Sequence, residues 1–334
     1  MKRTLLFLFG IFICLTVFIF FFPCSEQVDV VDLKFNRFEQ DLFLINEDNV
    51  VEKVNNWDKK FGSFNEVFKT QIMQLSSLDK QKYYAALLAF IQNKDMSEAY
   101  DSTSLLFSEF IEIERALEYA FSRFSNAFPS YPTPDITTFF GGFNYGVVTY
   151  DDNIAIGLEN FLGKDSKYYK YLGDPKYLRF QKQKKFILSN VMEVWFNEHF
   201  HQCLVSRDFL SQMIYKGKMM YFLDKMLPEL DMQDKFRFSS KHMDWVEKNE
   251  ASIWQYFVHE DLLFSKKESE FRSFINYAPF ARGMPQEAPG RVAYYTGYKI
   301  VSEYMKNNKI DMHELMFLTD SRKFLRKSRY KPDK

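Results

Sequence analysis

Apolar residues recur at three- and four-residue steps along most of the chain, which is the spacing of one face of an amphipathic helix. In the region 49–130 this pattern predicts helices, with Asp79 as a suitable N-cap for a helix over 80–92. A longer helix is predicted to end before Pro129, with an apolar face comprising Leu106, Phe110, Ile113, Leu117, Ala120 and Phe124. After Pro175 the same spacing predicts helices over 179–204, 207–226, 240–263, 291–306, 312–318 and 321–328.

Three short β-prone runs interrupt this helical pattern, at residues 136–140, 146–150 and 154–158. A Gly-Gly pair and an Asp-Asp-Asn cluster separate them, and both are typical of turns. We therefore expect a small antiparallel sheet within a predominantly α-helical α+β protein. The helical region 49–130 and the α+β region 131–334 are predicted to form one continuous domain.

The N-terminus has the pattern of an export signal. Lys2 and Arg3 precede an apolar run over residues 5–22, and Cys24 follows it. A cysteine at this junction is where bacterial lipoproteins are cleaved and acylated, which predicts a signal peptide over 1–23 and a lipidated linker over 24–48. The run is also long enough to span a bilayer as an uncleaved anchor. Both interpretations place residues 25–334 outside the cytoplasm, tethered to a membrane and facing the periplasm.

Composition narrows the class of protein further. Formal net charge is zero, so general attraction to nucleic acid is not implied. Cys14 leaves with a cleaved signal and Cys24 would carry lipid, which leaves Cys203 alone and excludes an internal disulfide. The chain contains 38 Phe and 20 Tyr, a usage that favours a phenylalanine-rich helical core.

The segment 197–201 resembles the zinc-peptidase motif H-E-x-x-H, in which two histidines one helical turn apart bind the metal and the glutamate activates water. Glu198 and His201 occupy two of the three positions, but Asn197 replaces the first histidine. Lys216 stands where a third ligand would come from the following helix. A catalytic zinc needs three protein ligands, so we expect no metal and no other cofactor. His199 and His201 point in opposite directions on a helix and are not expected to bind one metal together.

Longer segments carry a resemblance to a known family. The chain resembles the gliding motility lipoprotein GldB family of the Bacteroidetes over nearly all of its mature length, in the segments 38–43, 213–221, 227–230, 253–257, 278–280, 288–291, 295–301 and 328–332. The resemblance implies an envelope lipoprotein associated with gliding and with its dedicated secretion system. It also implies distant zincin-like ancestry without a full metal motif, which Asn197 and Lys216 fit.

These observations together predict a non-catalytic pseudo-metallopeptidase that acts through protein contacts in the cell envelope. The alternative is a divergent zincin-like hydrolase that still uses Glu198 as general base. Glu198, Lys216, Trp254 and Arg291 are the candidate residues of a former active-site cleft, in which Lys216 and Glu198 would form an ion pair. Trp254 is more often a core anchor than a ligand platform. Gly297, within a tyrosine-rich helix, is predicted to permit close approach of a neighbouring helix.

Overall fold

The computed structural model describes residues 30–332, so the predicted signal segment 1–23 and the predicted acylation site Cys24 lie outside the described residues. A four-stranded mixed sheet lies in the N-terminal half of this part, in the order β1-β2-β4-β3. Its strands are β1 (Phe35–Arg37), β2 (Ile136–Phe139), β3 (Val147–Tyr150) and β4 (Asn153–Gly157).

The sheet is not the antiparallel one that the sequence predicts. Only β3 and β4 are antiparallel, joined through Asp151 and Asp152, whose positive φ angles suit a two-residue hairpin turn. Strand β4 then returns between β3 and β2 and runs parallel to β2. Strand β1 pairs in parallel with β2 from the segment expected to be a linker. Sequence periodicity could not find β1 because it has only three residues.

The predicted N-terminal helical region is present, with Asp79 capping its helix through a hydrogen bond from the Lys82 amide. The predicted long helix with the six-residue apolar face is instead two helices, separated by residues 107–110. Leu106 ends the first and is 37% exposed, and Phe110 is the N-cap of the second. The helices are α1 (Phe38–Leu42), α2 (Val50–Phe61), α3 (Phe64–Val67, continued by a π turn over Phe68–Ile72), α4 (Lys80–Gln92), α5 (Lys94–Leu106) and α6 (Ile111–Ala127).

The C-terminal half is helical, as predicted, with two corrections. The helix expected from 179 begins only at Ile187, after a 3-10 turn, and the helix expected over 240–263 divides at Asn249. The helices are α7 (Lys167–Tyr171), α8 (Lys176–Arg179), α9 (Ile187–Phe200), α10 (Phe209–Met226), α11 (Met232–Phe236), α12 (Ser240–Lys248), α13 (Glu250–His259), α14 (Glu268–Ile275), α15 (Val292–Asn307), α16 (Met312–Met316) and α17 (Ser321–Ser328).

Helices α10 and α15 are the most closely packed pair in this half, and two facing glycines make that approach possible. A Cβ atom on Gly217 would lie 2.2 Å from the carbonyl carbon of Gly297, and one on Gly297 would lie 2.1 Å from the Met213 carbonyl oxygen. The predicted role of Gly297 is thus confirmed, and its partner is Gly217. The close approach of the two helices brings Lys216 of α10 beside the ring of Tyr294 of α15.

Buried aromatic rings fill two hydrophobic clusters. In the N-terminal cluster, the rings of Trp57, Phe61, Phe64 and Phe68 surround Phe38 with centroids 4.6–5.1 Å away. The larger cluster joins α6, α9, α10 and α15 and includes Trp195. Residues from Val31 to the end of the described part form one compact unit. No helix within residues 30–332 combines the length and apolar character needed to cross a bilayer.

Candidate functional site

Helix α9 carries the motif-like segment, and its Asn197 is fully occupied by protein contacts. The Asn197 side-chain amide donates to the Glu193 carbonyl oxygen at 2.7 Å. Its carbonyl oxygen accepts a hydrogen bond of 2.9 Å from the Tyr215 hydroxyl on α10. At the position of the first zinc ligand, the chain therefore has a side chain that joins α9 to α10.

Glu198 and His201 lie at the surface. Glu198 is exposed and accepts a 2.5 Å hydrogen bond from the Thr149 hydroxyl on β3. His201 is exposed in a short 3-10 turn beyond the end of α9, with its ring 6.4 Å from the Tyr215 ring. Between residues 30 and 332, no group of three or more histidine, cysteine or acidic side chains has the arrangement of a metal site.

The predicted ion pair between Glu198 and Lys216 is not present among the described residues. Lys216 lies instead beside two tyrosine rings, with its Nζ 5.4 Å from the centroid of Tyr215 and 5.5 Å from that of Tyr294. The reason is helical geometry: successive residues point about 100° apart. Tyr215 faces α9, so Lys216 faces α15, whereas Glu198 follows Asn197 and points toward the sheet.

Trp254 is likewise apart from these residues. It is half-buried on α13, where its ring meets the ring of Tyr330 edge-on at 5.4 Å. Trp254 thus fastens the C-terminal segment to the helical core, in keeping with the expectation of a core anchor. Of the four candidate cleft residues, the structure brings together Lys216 and Arg291, which both contact the ring of Tyr294.

Arg291 is the most unusual of these residues, because it is 2% exposed and has few polar contacts. It lies just before α15 with a φ of 68°, and its guanidinium carbon is 4.3 Å from the Tyr277 ring and 4.0 Å from the Tyr294 ring. One terminal nitrogen is 3.6 Å from a carboxylate oxygen of Glu193. Within residues 30–332, none of its three side-chain nitrogens has a hydrogen-bond acceptor.

A second buried arginine, which sequence reasoning missed, reaches the same carboxylate. Arg237 follows α11 in a left-handed conformation, is 3% exposed, and contacts both Glu193 and the side-chain oxygen of Asn190. Asn190, Glu193 and Asn197 lie on one face of α9 at helical spacing. The signal that could have identified Arg237 is a lone charge between Phe236 and Phe238.

Around Glu193 and Tyr294, positive side-chain charges outnumber negative ones. Arg237 and Arg291 share the carboxylate of Glu193, and Lys216 lies on the other side of Tyr294. Burial raises the pKa of the Tyr294 hydroxyl, but Arg291, Lys216 and Arg237 outweigh it and bring the pKa below its ordinary value. Burial, together with the nearby Arg291, lowers the pKa of Arg237.

These two arginines line a cleft, which we call the arginine cleft. It is narrow and open to solvent, with about 50 Å³ accessible to a group the size of a water molecule. One wall forms because a Cβ atom on Gly290 would lie 2.7 Å from the Ala278 backbone nitrogen, so only glycine lets these segments meet. His242 also lines the cleft, and burial lowers its pKa. The aromatic and proline side chains of the lining are Tyr177, Phe180, Phe238, Tyr277, Pro279 and Pro289.

Comparison with known proteins identifies a family. A family model described as gliding motility protein GldB matches residues 24–332, which includes α9, α10, α15 and the arginine cleft. No curated protein and no solved structure matches the chain.

Proposed function

Because the chain belongs to the GldB family of gliding motility proteins, we propose that it is a non-catalytic, lipid-anchored protein of the cell envelope. In this proposal the chain supports gliding, or the secretion machinery associated with gliding, by contacts with other envelope proteins. Its membrane attachment is the acylated Cys24, and residues 25–334 face the periplasm.

The observation that carries the proposal is the extent of the family match. It begins at Cys24, the residue whose position after the apolar segment predicts acylation, and it continues to Pro332. A role assigned to the family thus applies to the whole region from the predicted anchor to the last described helix. Two or more acyl chains hold a protein at a membrane stably, which suits a permanent component of an envelope assembly.

The non-catalytic part of the proposal is supported by the side chains of α9. Asn197 uses its amide and its carbonyl oxygen in contacts with Glu193 and Tyr215, so it is not free to bind a metal. Glu198 is exposed and bonded to Thr149. A general base must reach the proton that it removes within a positioned substrate, and an exposed carboxylate beside a strand has no such enclosure. Zincin-like ancestry stays a prediction.

The test is complementation in a gliding host that lacks its own gene of this family. Cells that carry the wild-type chain or Glu198→Gln should spread equally on a surface, because the proposal assigns no chemistry to Glu198. Cells that carry Cys24→Ala should lose spreading, and metabolic labelling with a fatty acid should show no acylated protein. Cys203→Ala is the matched control, since it removes a cysteine that has no place in the anchor.

Two outcomes would contradict the proposal. Loss of spreading with Glu198→Gln, at normal protein level and stability, would favour the hydrolase alternative. Normal spreading of a Cys24→Ala strain in which the protein stays at the membrane would show that residues 5–22 act as the anchor. Affinity capture of the tagged wild-type protein from solubilised envelopes should recover other envelope proteins, whereas capture of the chain alone would argue against a role through protein contacts.

A further inference from the structure

The arginine cleft has more buried positive charge than its own residues balance. Arg237 and Arg291 are 3% and 2% exposed, and among the described residues the single carboxylate that pairs with both is Glu193. The terminal nitrogens of Arg237 pair with Glu193 and donate to Asn190, so its charge is compensated although its Nε has no acceptor among the described residues. The donors of Arg291 are left without acceptors in the same part of the chain. Buried charges are normally paired and hydrogen-bonded, since leaving them unpaired costs free energy.

The chemistry of an acceptor that would satisfy Arg291 can be read from the cleft. A guanidinium group presents parallel N–H donors that match the two oxygens of a carboxylate. Lys216 lies on the other side of Tyr294 and is not among the residues that line the cleft. Arg237, Arg291 and Glu193 therefore leave a surplus of one positive charge at the cleft, which a monoanion neutralises and a phosphate dianion exceeds. The other lining side chains are mostly aromatic rings and prolines, with Gln181 and His242 as the polar ones. This lining suits an apolar substituent rather than a second charged group.

The entrance also fits a ligand of this kind. Tyr277 is 36% exposed and stacks on Arg291, while Pro279 next to it is exposed at the rim. About 50 Å³ of the cleft is accessible to a group the size of a water molecule, well below the volume of drug-sized sites, so the cleft can take the carboxylate group while the rest of the ligand lies at the open rim beside Tyr277 and Pro279.

We propose that the arginine cleft binds the carboxylate of a small organic acid or of a peptide C-terminus, with Arg291 as the main ligand-binding residue and Arg237 as its support. Glu193 holds Arg237 in place and leaves Arg291 available. The aromatic walls contact the apolar part of the ligand. This inference goes beyond the role in gliding and does not depend on it.

The test is calorimetric titration of the detergent-solubilised full chain with two carboxylates, benzoate and N-acetylphenylalanine. Both should give saturable binding, and N-acetylphenylalanine amide, which lacks the charge, should bind at least about tenfold more weakly or not at all. Tighter binding of N-acetylphenylalanine than of benzoate assigns the site to peptide C-termini, and the reverse order assigns it to free acids. Either order supports the proposal.

The variants separate the cleft from the rest of the surface. Arg291→Met should weaken carboxylate binding by about tenfold or more, and Arg291→Lys should also weaken it because lysine lacks the planar pair of donors. Arg272→Met is the matched control, since Arg272 is an exposed arginine of α14 that pairs with Glu268. It should bind as the wild type does. Circular dichroism confirms that each variant is folded, and if Arg291→Met is not, Arg291→Lys decides.

Three results would overturn the proposal. The first is no saturable binding of either carboxylate to the wild-type chain. The second is equal binding of inorganic phosphate, which would remove the preference for a monoanionic carboxylate. The third is unchanged binding in folded Arg291→Lys and Arg291→Met, which would place the ligand elsewhere. None of these results bears on complementation by Cys24→Ala or Glu198→Gln, so the two proposals fail separately.

Discussion

Two carboxyl groups enclosed by this fold are held in opposite ways. Glu159, in a 3-10 turn after β4, is fully buried and accepts hydrogen bonds from the amides of Gly141 and Phe143, at 2.7 and 3.1 Å. Within the described part of the chain it has no ion-pair partner. Glu193, on α9, is enclosed beside two buried arginines and contacts both. Backbone amides alone hold Glu159, whereas two arginine charges face the single negative charge of Glu193.

The difference shows that a buried carboxyl group in this fold does not require two cations. Glu159 shows that this protein can bury a carboxyl group with backbone donors alone, at the cost of a raised pKa. At Glu193, a single arginine would balance the charge. The second arginine therefore adds buried positive charge that stability does not require, and it lies on the wall of a cleft. A feature that costs stability and faces a cavity is a reason to look for a ligand.

The largest expected effect comes from removing the shared carboxylate. Glu193→Gln leaves Arg237 and Arg291 buried without a counter-charge, and breaking a buried pair from one side typically costs about 3–5 kcal/mol. We expect a loss of this size in the free energy of unfolding, measured by urea denaturation of the full chain in detergent. A loss below about 1 kcal/mol would mean that the arginines are well solvated, and the contrast with Glu159 would disappear.

Glu159 should make stability depend on pH in a way that its glutamine variant does not. Burial raises its pKa from 4.5 to about 7, against the opposing hydrogen bonds from Gly141 and Phe143. Between these pH values the unfolded chain has released the proton and the folded chain still holds it, so the contribution of Glu159 to stability falls as pH rises. The free energy of unfolding of Glu159→Gln minus that of the wild type should therefore increase by about 3 kcal/mol from pH 4.5 to pH 8.

Denaturation of both chains at several pH values measures this difference. Below pH 4.5, the difference between the wild type and Glu159→Gln should level off, since the carboxyl group becomes protonated in both the folded and the unfolded state. A difference between the two chains that stays constant from pH 4.5 to pH 8 would show that Glu159 is ionised in the folded chain. The contrast with the arginine-paired Glu193 would then be lost.

Arg291→Met tests the surplus charge directly. Replacing a buried ionic group by an apolar one of similar volume is often neutral or stabilising. Loss of the cation–π contacts with Tyr277 and Tyr294 offsets part of the gain. We expect the free energy of unfolding to change by less than about 1 kcal/mol, with a gain favoured. Arg237→Met is the matched comparison and should lose about 3 kcal/mol, because Glu193 and Asn190 lose the side chain that contacts both. Arg291, 3.6 Å from Glu193 and without a hydrogen bond to it, balances the charge but does not replace these contacts. Equal losses in both variants would remove the distinction between the two arginines.

The sequence predicts the elements of this fold better than the contacts between them. Helical spacing found α4, α10, α15, α16 and α17 to within a few residues, and Gly297 pointed to the close helix contact that the structure confirms. Local periodicity has no information on strand order, so it missed that β4 lies between β2 and β3.

The candidate site shows the same limit. A motif places residues along one helix, and Asn197 does face the neighbouring helix as a ligand position would. Pairing across helices depends on the rotation of each helix about its axis. The expected ion pair between Lys216 and Glu198 is therefore absent from the described part of the chain, and the residues just before them, Tyr215 and Asn197, form the contact between the two helices. Arg291 was predicted as a residue of a former active-site cleft, but its neighbours Glu193 and Arg237 lie far from it in the sequence and meet it only in the folded chain.

The smallest expected effect concerns Glu198, the carboxylate that the motif singles out. It is exposed and bonded only to Thr149 in the described structure, so Glu198→Ala should lower the free energy of unfolding by about 0.5 kcal/mol or less. Because no ion pair links Glu198 to Lys216 within residues 30–332, the changes Glu198→Ala and Lys216→Ala should be additive within about 0.5 kcal/mol in a double-mutant cycle. A coupling of about 1 kcal/mol or more would mean that the two side chains meet after all. Glu198 would then belong with Glu193 as a carboxylate held by a cation, rather than with the solvent-exposed side chains of the surface.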